Sequence, residues 1–134
     1  MIDIENELFS RIAHVVREKY PDAYVTGEYL KSPSSFPCVS FMEIDNQVYQ
    51  GTRSTDSMEN HALITYELNV YSNRTSGKKA ECKAIIALMD SLLADIGFTR
   101  TMMNPIPNMG DMTIYRITAR YRAIVSKDRM LFRS

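Results

Sequence analysis

The side chains that could carry out catalysis are few in this chain, and they stand apart. His14 falls in a stretch with helical spacing, and His61 ends a long polar segment. Neither has a second ligand or a carboxylate at a spacing typical of a metal site or a proton relay. The phosphate-binding loop and the GxGxxG, GxSxG and HExxH motifs are all missing from the sequence. This pattern favours a protein that is not an enzyme and needs no cofactor.

The two cysteines, Cys38 and Cys82, have no neighbouring cysteine or histidine that would form a metal-binding motif. We therefore expect both to be small buried hydrophobic residues, in preference to a disulfide or a reactive thiol. The paired acids Asp56 and Glu59 lie in a polar segment without apolar neighbours, so we expect them to be solvated. None of these four residues indicates a reaction.

The composition narrows the class of protein. The 134 residues contain 16 basic and 16 acidic side chains, so the net charge is zero, which argues against polyanion binding as the main task. The start, MIDIENELF, lacks the basic and apolar regions of a secretory signal, and no apolar run approaches the roughly 20 residues that cross a bilayer. We expect one domain over residues 1–134, made in a cytoplasm and not bound to a membrane.

Two amphipathic helices are predicted from the spacing of apolar residues. The first runs over residues 4–19, with Asp3 as its N-cap and Pro21 preventing its continuation. The second runs over residues 78–96 and is expected to end at Gly97. Both helices have a single apolar side, so each needs one packing partner.

Alternating and β-branched segments predict the strands, and the segment between residues 45 and 61 is expected to be a long polar loop. We expect the first two strands to be joined by a polar turn. The predicted strands are 23–30, 36–44, 62–71, 98–103 and 113–125.

These elements predict an α+β fold with two layers: a mainly antiparallel sheet of about four to five strands, with both helices packed on one face. The other face is expected to be polar, with Glu67 on one strand and Arg116, Arg120 and Arg122 on another. Opposite charges on neighbouring strands would pair, each surface pair contributing about 0.2–1 kcal/mol. A solvated sheet face is the favoured interpretation, and a surface that meets a neighbouring subunit is the alternative.

Two segments are candidates for contacts with other subunits. The first is the long loop around Tyr49, Arg53 and Asp56, because a polar segment that cannot bury itself in its own domain can become ordered against a neighbour. The second is the arginine row with Glu67, because a row of like charge needs opposite charge to face it. A group of methionines before the last strand would suit core filling or, as the second choice, a partner's irregular surface. It comprises Met102, Met103, Met109 and Met112.

Nearly the whole chain resembles the tail terminator, or tail-completion, proteins of long-tailed bacteriophages. The segments that carry the resemblance are the first helix ending in YPDAYV, the strand SFPCVSFMEIDN with its polar loop, the strand ALITYELNVYSN followed by the helix KKAECKAIIALMDSLLADIGF, and the closing strand YRITARYRAIVSKDRMLF. The likeness lies in the order and character of these elements, because the family has no short signature motif.

The resemblance implies a structural subunit that forms a ring, typically a hexamer, at the head-proximal end of the tail tube. There it would stop tube growth and present the surface for head joining. Its partners would be its own copies, the tail tube protein and a head-completion or connector protein, in the neck of a virion assembled in a bacterial cytoplasm. No catalytic residue, cofactor or metal is implied.

Three other functions remain open. Another neck component, such as a head-closure, adaptor or minor capsid protein, would share the same patterning. A small enzyme would need a pocket of convergent polar groups, and no two residues have the spacing for one. A nucleic-acid-binding module using the arginines would lose affinity steeply as salt rises, whereas a neutral assembly protein would change little.

Overall fold

The computed structural model describes residues 1–30, 33–49, 61–107 and 112–126, together with the backbone of 131–132. Its elements confirm the predicted α+β fold with two helices and a mostly antiparallel sheet. In chain order they are α1 (Glu5–Lys19), β1 (Tyr24–Thr26), β2 (Cys38–Val48), β3 (His61–Ser72), α2 (Lys78–Ile96), β4 (Thr99–Pro105), β5 (Tyr115–Ser126) and β6 (Leu131–Phe132).

The sheet has the strand order β1-β2-β3-β5-β4, and the two-residue strand β6 also pairs with β5. β2, β3, β5 and β4 pair antiparallel, whereas β1 is parallel to β2. The expectation of two strands joined by a simple turn is therefore wrong for β1 and β2. Parallel strands need a connection that crosses the sheet, and of this crossing segment between β1 and β2 the structure describes residues 27–30 and 33–37.

Both helices pack on one face of the sheet, as predicted, because each offers a single apolar side. Within the described residues neither helix is long and apolar enough to cross a membrane. Phe41 and Tyr66 stack at the centre of this core, with ring centroids 4.9 Å apart. The core includes Leu8, Ile12 and Val16 of α1; Ile85, Met89 and Leu93 of α2; Val39 and Phe41 of β2; Ile64, Tyr66, Leu68 and Val70 of β3; and Ile117, Ala119, Tyr121 and Ala123 of β5.

The helix ends agree with the sequence in one case and differ in the other. Gly97 ends α2 with φ of 126°, a backbone conformation that favours glycine, and its amide donates to the Leu93 carbonyl at 3.1 Å. Asp3 is not the N-cap of α1, which is Ile4. The Asp3 Oδ1 atom instead accepts a hydrogen bond from the Glu5 amide at 3.0 Å, so the carboxylate still serves the first turn.

The hairpin of β2 and β3 is longer than the sequence indicated. β2 continues through the polar residues Asp45, Asn46 and Gln47 to Val48, and these four residues pair with Thr65 to Ala62 of β3. The ladder shifts register between Glu43 and Asp45, which leaves Ile44 in a β-bulge. The polar composition of this segment gave no sign of a strand, because its strand conformation depends on pairing with β3. Of the predicted loop, residues 50–60 lie outside the described part of the chain.

Candidate functional site

The sheet face that points away from the helices carries the predicted charged residues on its two central strands. β3 and β5 pair so that Glu67 lies opposite Arg120. The Arg120 Nε atom is 3.2 Å from Glu67 Oε1, and the Arg120 side chain is 48% exposed against 13% for Glu67. The cross-strand pair expected from the sequence therefore forms with Arg120, whose charge is offset within the chain.

Arg116 lies in a different environment from Arg120. Its guanidinium group donates to Asn69 Oδ1 from Nε at 3.0 Å and from Nη2 at 2.8 Å. The rings of Tyr29 and Tyr71 have their centroids 5.6 and 5.4 Å from its Cζ atom, within the range of cation–π attraction. Arg116 thus connects the sheet to the segment that contains Tyr29. Its guanidinium group is fixed by these contacts, so its environment differs from that of the other two arginines.

Arg122, the third arginine of the predicted row, lies opposite Thr65 on β3 and Thr99 on β4. Its side chain is exposed. The sequence placed Arg116, Arg120 and Arg122 on one face correctly, because alternate residues of a strand point to the same side. Their surroundings nevertheless differ: the Arg116 guanidinium group is hydrogen-bonded to Asn69, whereas the Arg122 side chain is exposed.

Asn69 is the buried centre of a polar network that the sequence did not reveal. It is 0% exposed, and its Oδ1 atom also accepts a hydrogen bond from Thr118 Oγ1 at 2.6 Å. Its Nδ2 atom donates to Glu67 Oε2 at 3.3 Å, which links the Glu67–Arg120 pair to Arg116. A buried amide needs such partners. The only signal in the sequence was that Asn69 shares a face with Glu67, and that pattern alone is equally typical of a solvated residue.

Half of this second face is covered by the described residues of the crossing segment, 27–30 and 33–37, so the prediction of an entirely polar face is wrong there. The Tyr71 hydroxyl donates to the Leu30 carbonyl at 2.9 Å, and Ser40 Oγ donates to the Glu28 carbonyl at 2.9 Å. Burial raises the pKa of Tyr71 to about 12, although the charge of Arg116 lowers it. The covered half holds a second apolar cluster of Cys38, Tyr71 and Ile114, with Leu30 and Phe36 packed against it.

The other half of the face is more open, and we call it the open half-face. Its strands align Met42 with Glu67, Thr65 with Arg122 and Leu63 with Ile124. Leu63, Ile124 and Met42 are partly exposed there beside the exposed arginines. The open half-face consists of Met42, Leu63, Thr65, Glu67, Arg120, Arg122 and Ile124.

The predicted loop site is described only at its first residue. Tyr49 follows β2 and is 36% exposed, and its amide donates to the His61 carbonyl at 2.9 Å, which closes the described part of the hairpin. Arg53 and Asp56 lie outside the described residues. The loop contact stays a prediction.

Three carboxylates gather where the chain start meets β2, and we call this group of Asp3, Glu5 and Glu43 the acidic corner. The Glu43 amide donates to Glu5 Oε2 at 2.8 Å, which ties the start of α1 to the edge of β2. Burial, and then the charge of Glu5, raises the pKa of the Glu43 carboxyl. Ile44, the residue after Glu43 in the chain, is exposed.

The nucleophilic and metal-binding residue types are not combined in the described part of the chain. Burial raises the pKa of the Cys38 thiol to about 11 and that of Cys82 to about 12, so neither is a thiolate at neutral pH. His14 lies on the exposed side of α1, with its Nε2 atom 3.5 Å from Glu18 Oε2. Among the described residues no group of three histidine, cysteine or acidic side chains is placed to hold a metal ion.

Comparison with known proteins does not assign the chain to a family. No protein-family model matches it, and no curated protein matches its sequence. The candidate site therefore has to be interpreted from its own geometry.

Proposed function

We propose that this chain is a structural assembly subunit that forms a ring at the head-proximal end of a phage tail tube, ends tube growth and provides the surface for head joining. The observation that carries the proposal is the open half-face. It combines partly exposed apolar residues with the Glu67–Arg120 ion pair formed within the chain, as in the core and rim of a protein–protein interface.

The chemistry of the open half-face supports a protein partner more than a nucleic acid. Phosphate binding needs arginines and lysines whose charge is available to neutralise the backbone. Here Glu67 offsets Arg120, while Arg116 is held by Asn69 and two tyrosine rings. An interface that buries Leu63 and Ile124 uses the same surface without needing a net positive charge.

The order of elements on which the resemblance rests supports the same proposal. The first helix, the long β2–β3 hairpin, α2 directly after β3, and the closing strand β5 follow one another in the order that the tail terminator family has. The alternative is another neck component, such as a head-closure, adaptor or minor capsid protein. The test has to distinguish this alternative from the terminator function.

The first test measures mass by light scattering over a range of concentration and salt, together with electron microscopy of tail tubes assembled with and without the protein. A ring of defined mass, or overlong uncapped tubes when the protein is left out, is the expected result. If tube length is the same in both reactions and the protein does not bind tube ends, the terminator function is wrong. The alternative function, as another neck component, is then favoured.

A variant pair locates the contact surface. Leu63→Asp places a charge among the apolar side chains of the open half-face, and we expect it to abolish assembly while the chain stays folded. Ala87→Asp places the same charge on the exposed side of α2 and serves as the matched control. Equal assembly by both variants would show that the open half-face is not used.

A further inference from the structure

The acidic corner holds negative charge that the described part of the chain does not balance. Neither Asp3, Glu5 nor Glu43 forms an ion pair with another described residue. Burial, and then the charge of Glu5, raises the pKa of the Glu43 carboxyl, so the fold disfavours its ionised form. Ionisable groups with such perturbed pKa values are more common at functional sites than elsewhere.

A buried hydroxyl group faces the same carboxylates. Tyr66 lies opposite Glu43 in the β2–β3 ladder and is 0% exposed. Burial, and then the charges of Glu43, Glu5 and Asp3, raises the pKa of Tyr66, so the hydroxyl group lies beside the acidic corner. No described residue forms a hydrogen bond of normal geometry with its Oη atom. Buried polar atoms without a partner are rare in folded proteins, so this corner has hydrogen-bonding capacity that the described chain leaves unused.

A groove adjoins the acidic corner at Glu5, and we call it the edge groove. It lies between the start of α1 and the point where the chain leaves β1, and its volume is about 370 Å³. Its lining includes Glu5, Phe9, Gly27, Glu28 and Phe41, all of them described residues. Sites for small molecules usually measure roughly 300–1,000 Å³, so the edge groove has room for one long side chain.

The lining of the edge groove has the groups that bind a guanidinium ion. Glu28 is exposed and forms no ion pair with another described residue. Glu5 accepts the Glu43 amide at its Oε2 atom, which leaves Oε1 for a further donor. Phe9 adds a partly exposed aromatic ring. Carboxylates and an aromatic face together suit arginine, whose planar group donates several hydrogen bonds and is attracted to aromatic rings.

Gly27 leaves the edge groove open above the Phe9 ring. A Cβ atom at this position would lie 3.8 Å from Phe9 Cδ2 and 3.8 Å from the Phe41 carbonyl oxygen, which is ordinary contact. The backbone of Gly27 is not in the left-handed region, in contrast to those of Gly77 and Gly97. Residues with a side chain are therefore compatible with this position, and a long one would occupy the groove.

We propose that the edge groove binds an arginine side chain of a protein partner. Glu5 and Glu28 pair with the guanidinium group, Phe9 contacts its planar face, and the charges of Asp3 and Glu43 add to the attraction. Arginine is enriched at protein–protein interfaces, where such a pairing fixes orientation as well as affinity. The inference rests on the proposed assembly function for the role of the partner, and it adds the chemistry by which that partner is recognised.

Titration with L-argininamide tests the groove directly. The proposal predicts saturable chemical-shift changes at the amides of Gly27 and Glu43 in NMR spectra of the 15N-labelled chain, with a dissociation constant on the order of 1 mM. Citrullinamide has nearly the same shape without the guanidinium charge and serves as the matched probe, which should cause no such changes. Shifts that do not saturate, or equal shifts with both probes, would overturn the proposal.

Variants locate the bound probe. Glu28→Gln should weaken argininamide binding about threefold, because Glu28 is exposed, and Glu5→Gln with Glu28→Gln should weaken it about tenfold. Asp22→Gln removes an exposed acid before β1 and should leave the affinity unchanged. Gly27→Leu should block the groove, whereas Gly27→Ala should still bind. The same spectra show whether each variant is folded, and equal affinities for Glu28→Gln and Asp22→Gln would refute the site.

Proton linkage at Glu43 gives a readout that a binding site elsewhere would not change. The groups that face Glu43 are Asp3 and Glu5 from the chain start, Asn46 of β2 and Tyr66 of β3. A guanidinium ion bound beside them favours the ionised carboxylate, so the pKa of Glu43 should fall when argininamide is added. NMR of the Glu43 side-chain carboxyl carbon over a range of pH measures this shift. An unchanged pKa at saturating argininamide would place the probe away from the corner and overturn the proposal.

The partner is tested in the assembly reaction with Glu28→Arg and its control Asp22→Arg. Loss of tube capping by Glu28→Arg alone is the expected result. If the unchanged chain caps tail tubes and both variants cap them equally well, the terminator function stands and the edge groove is not a partner site. If argininamide binds as predicted and Glu28→Arg alone loses self-association, while tube length never responds to the protein, the edge groove stands and the tail function is wrong.

Discussion

Replacement of Asn69 by alanine tests the polar network under the second sheet face. The change removes the acceptor of three hydrogen bonds, two from Arg116 and one from Thr118, and the donor of one to Glu67. Thr118 is only 4% exposed, so its hydroxyl group has little access to water once this acceptor is gone. A buried donor that loses its partner costs about 1–3 kcal/mol, and hydrogen bonds from charged groups contribute more than neutral ones. Arg116 is partly exposed and keeps some hydration, which limits its share.

We therefore expect Asn69→Ala to lower the free energy of unfolding by about 2–3 kcal/mol, which corresponds to about 10 °C in Tm for a chain of this size. Urea unfolding followed by circular dichroism measures the change. Asn104→Ala is the matched control, since Asn104 lies opposite Thr118 on β4 but is exposed. Its effect should stay within about 0.5 kcal/mol.

A double-mutant cycle with Thr118→Val decides whether the network is the cause. With the Thr118 hydroxyl group removed, Asn69→Ala no longer leaves a buried donor without an acceptor. Its effect on the free energy of unfolding should then be about 1 kcal/mol smaller than in the unchanged chain. Additivity of the two changes within about 0.5 kcal/mol, or a cost of Asn69→Ala no larger than that of Asn104→Ala, would refute the reasoning. The loss would then come from packing alone.

Three further predictions concern charge and ionisation. Glu67→Gln removes the ion pair with the half-exposed Arg120 and should cost at most about 1 kcal/mol, less at high salt, when unfolding is compared at low and high NaCl. Cys38 and Cys82, whose pKa values are raised to about 11 and about 12, should not react with a thiol reagent at pH 8 until the chain unfolds; rapid reaction in native buffer would contradict this. The raised pKa of Glu43 contributes stability at low pH that is lost as pH rises through its folded-state pKa, so Glu43→Gln should raise Tm at pH 7 and reduce the loss of Tm above pH 4.5. A lower Tm for that variant at pH 7 would show that the carboxylate is favourable in the fold.

The elements that could be predicted are those whose signal is local. α2 was predicted over the residues that form it, because its apolar period and Gly97 both lie within the segment. The alternation in β3 and β5 likewise belongs to the strands themselves. β2 beyond Ile44 was missed because Asp45, Asn46 and Gln47 are polar, and their strand conformation depends on pairing with β3.

The arrangement of β1 and the crossing segment could not be predicted, because it depends on contacts between distant parts of the chain. The turn-forming residues between β1 and β2 are as typical of a hairpin as of a crossing connection. What decides between them is packing: Leu30 and Phe36 cover Cys38 and Tyr71, and the Tyr71 hydroxyl donates to the Leu30 carbonyl. The same contacts divide the second face into a covered half and an open half, and so decide which residues remain for a partner.

The candidate site shows why a zero net charge is a weak guide to what this surface does. The total of 16 basic and 16 acidic residues predicts no strong overall field. In the fold, however, Asp3, Glu5 and Glu43 gather where the chain start meets β2, while Lys78 and Lys79 begin α2, which follows the end of β3. Charges separated in this way cancel in the sum but still produce local fields, which act over the roughly 8–10 Å that salt leaves unscreened. We therefore expect local charges to give the binding of a protein partner some salt dependence, contrary to what the net charge alone predicts, so only a steep loss of affinity with salt would indicate a nucleic-acid ligand.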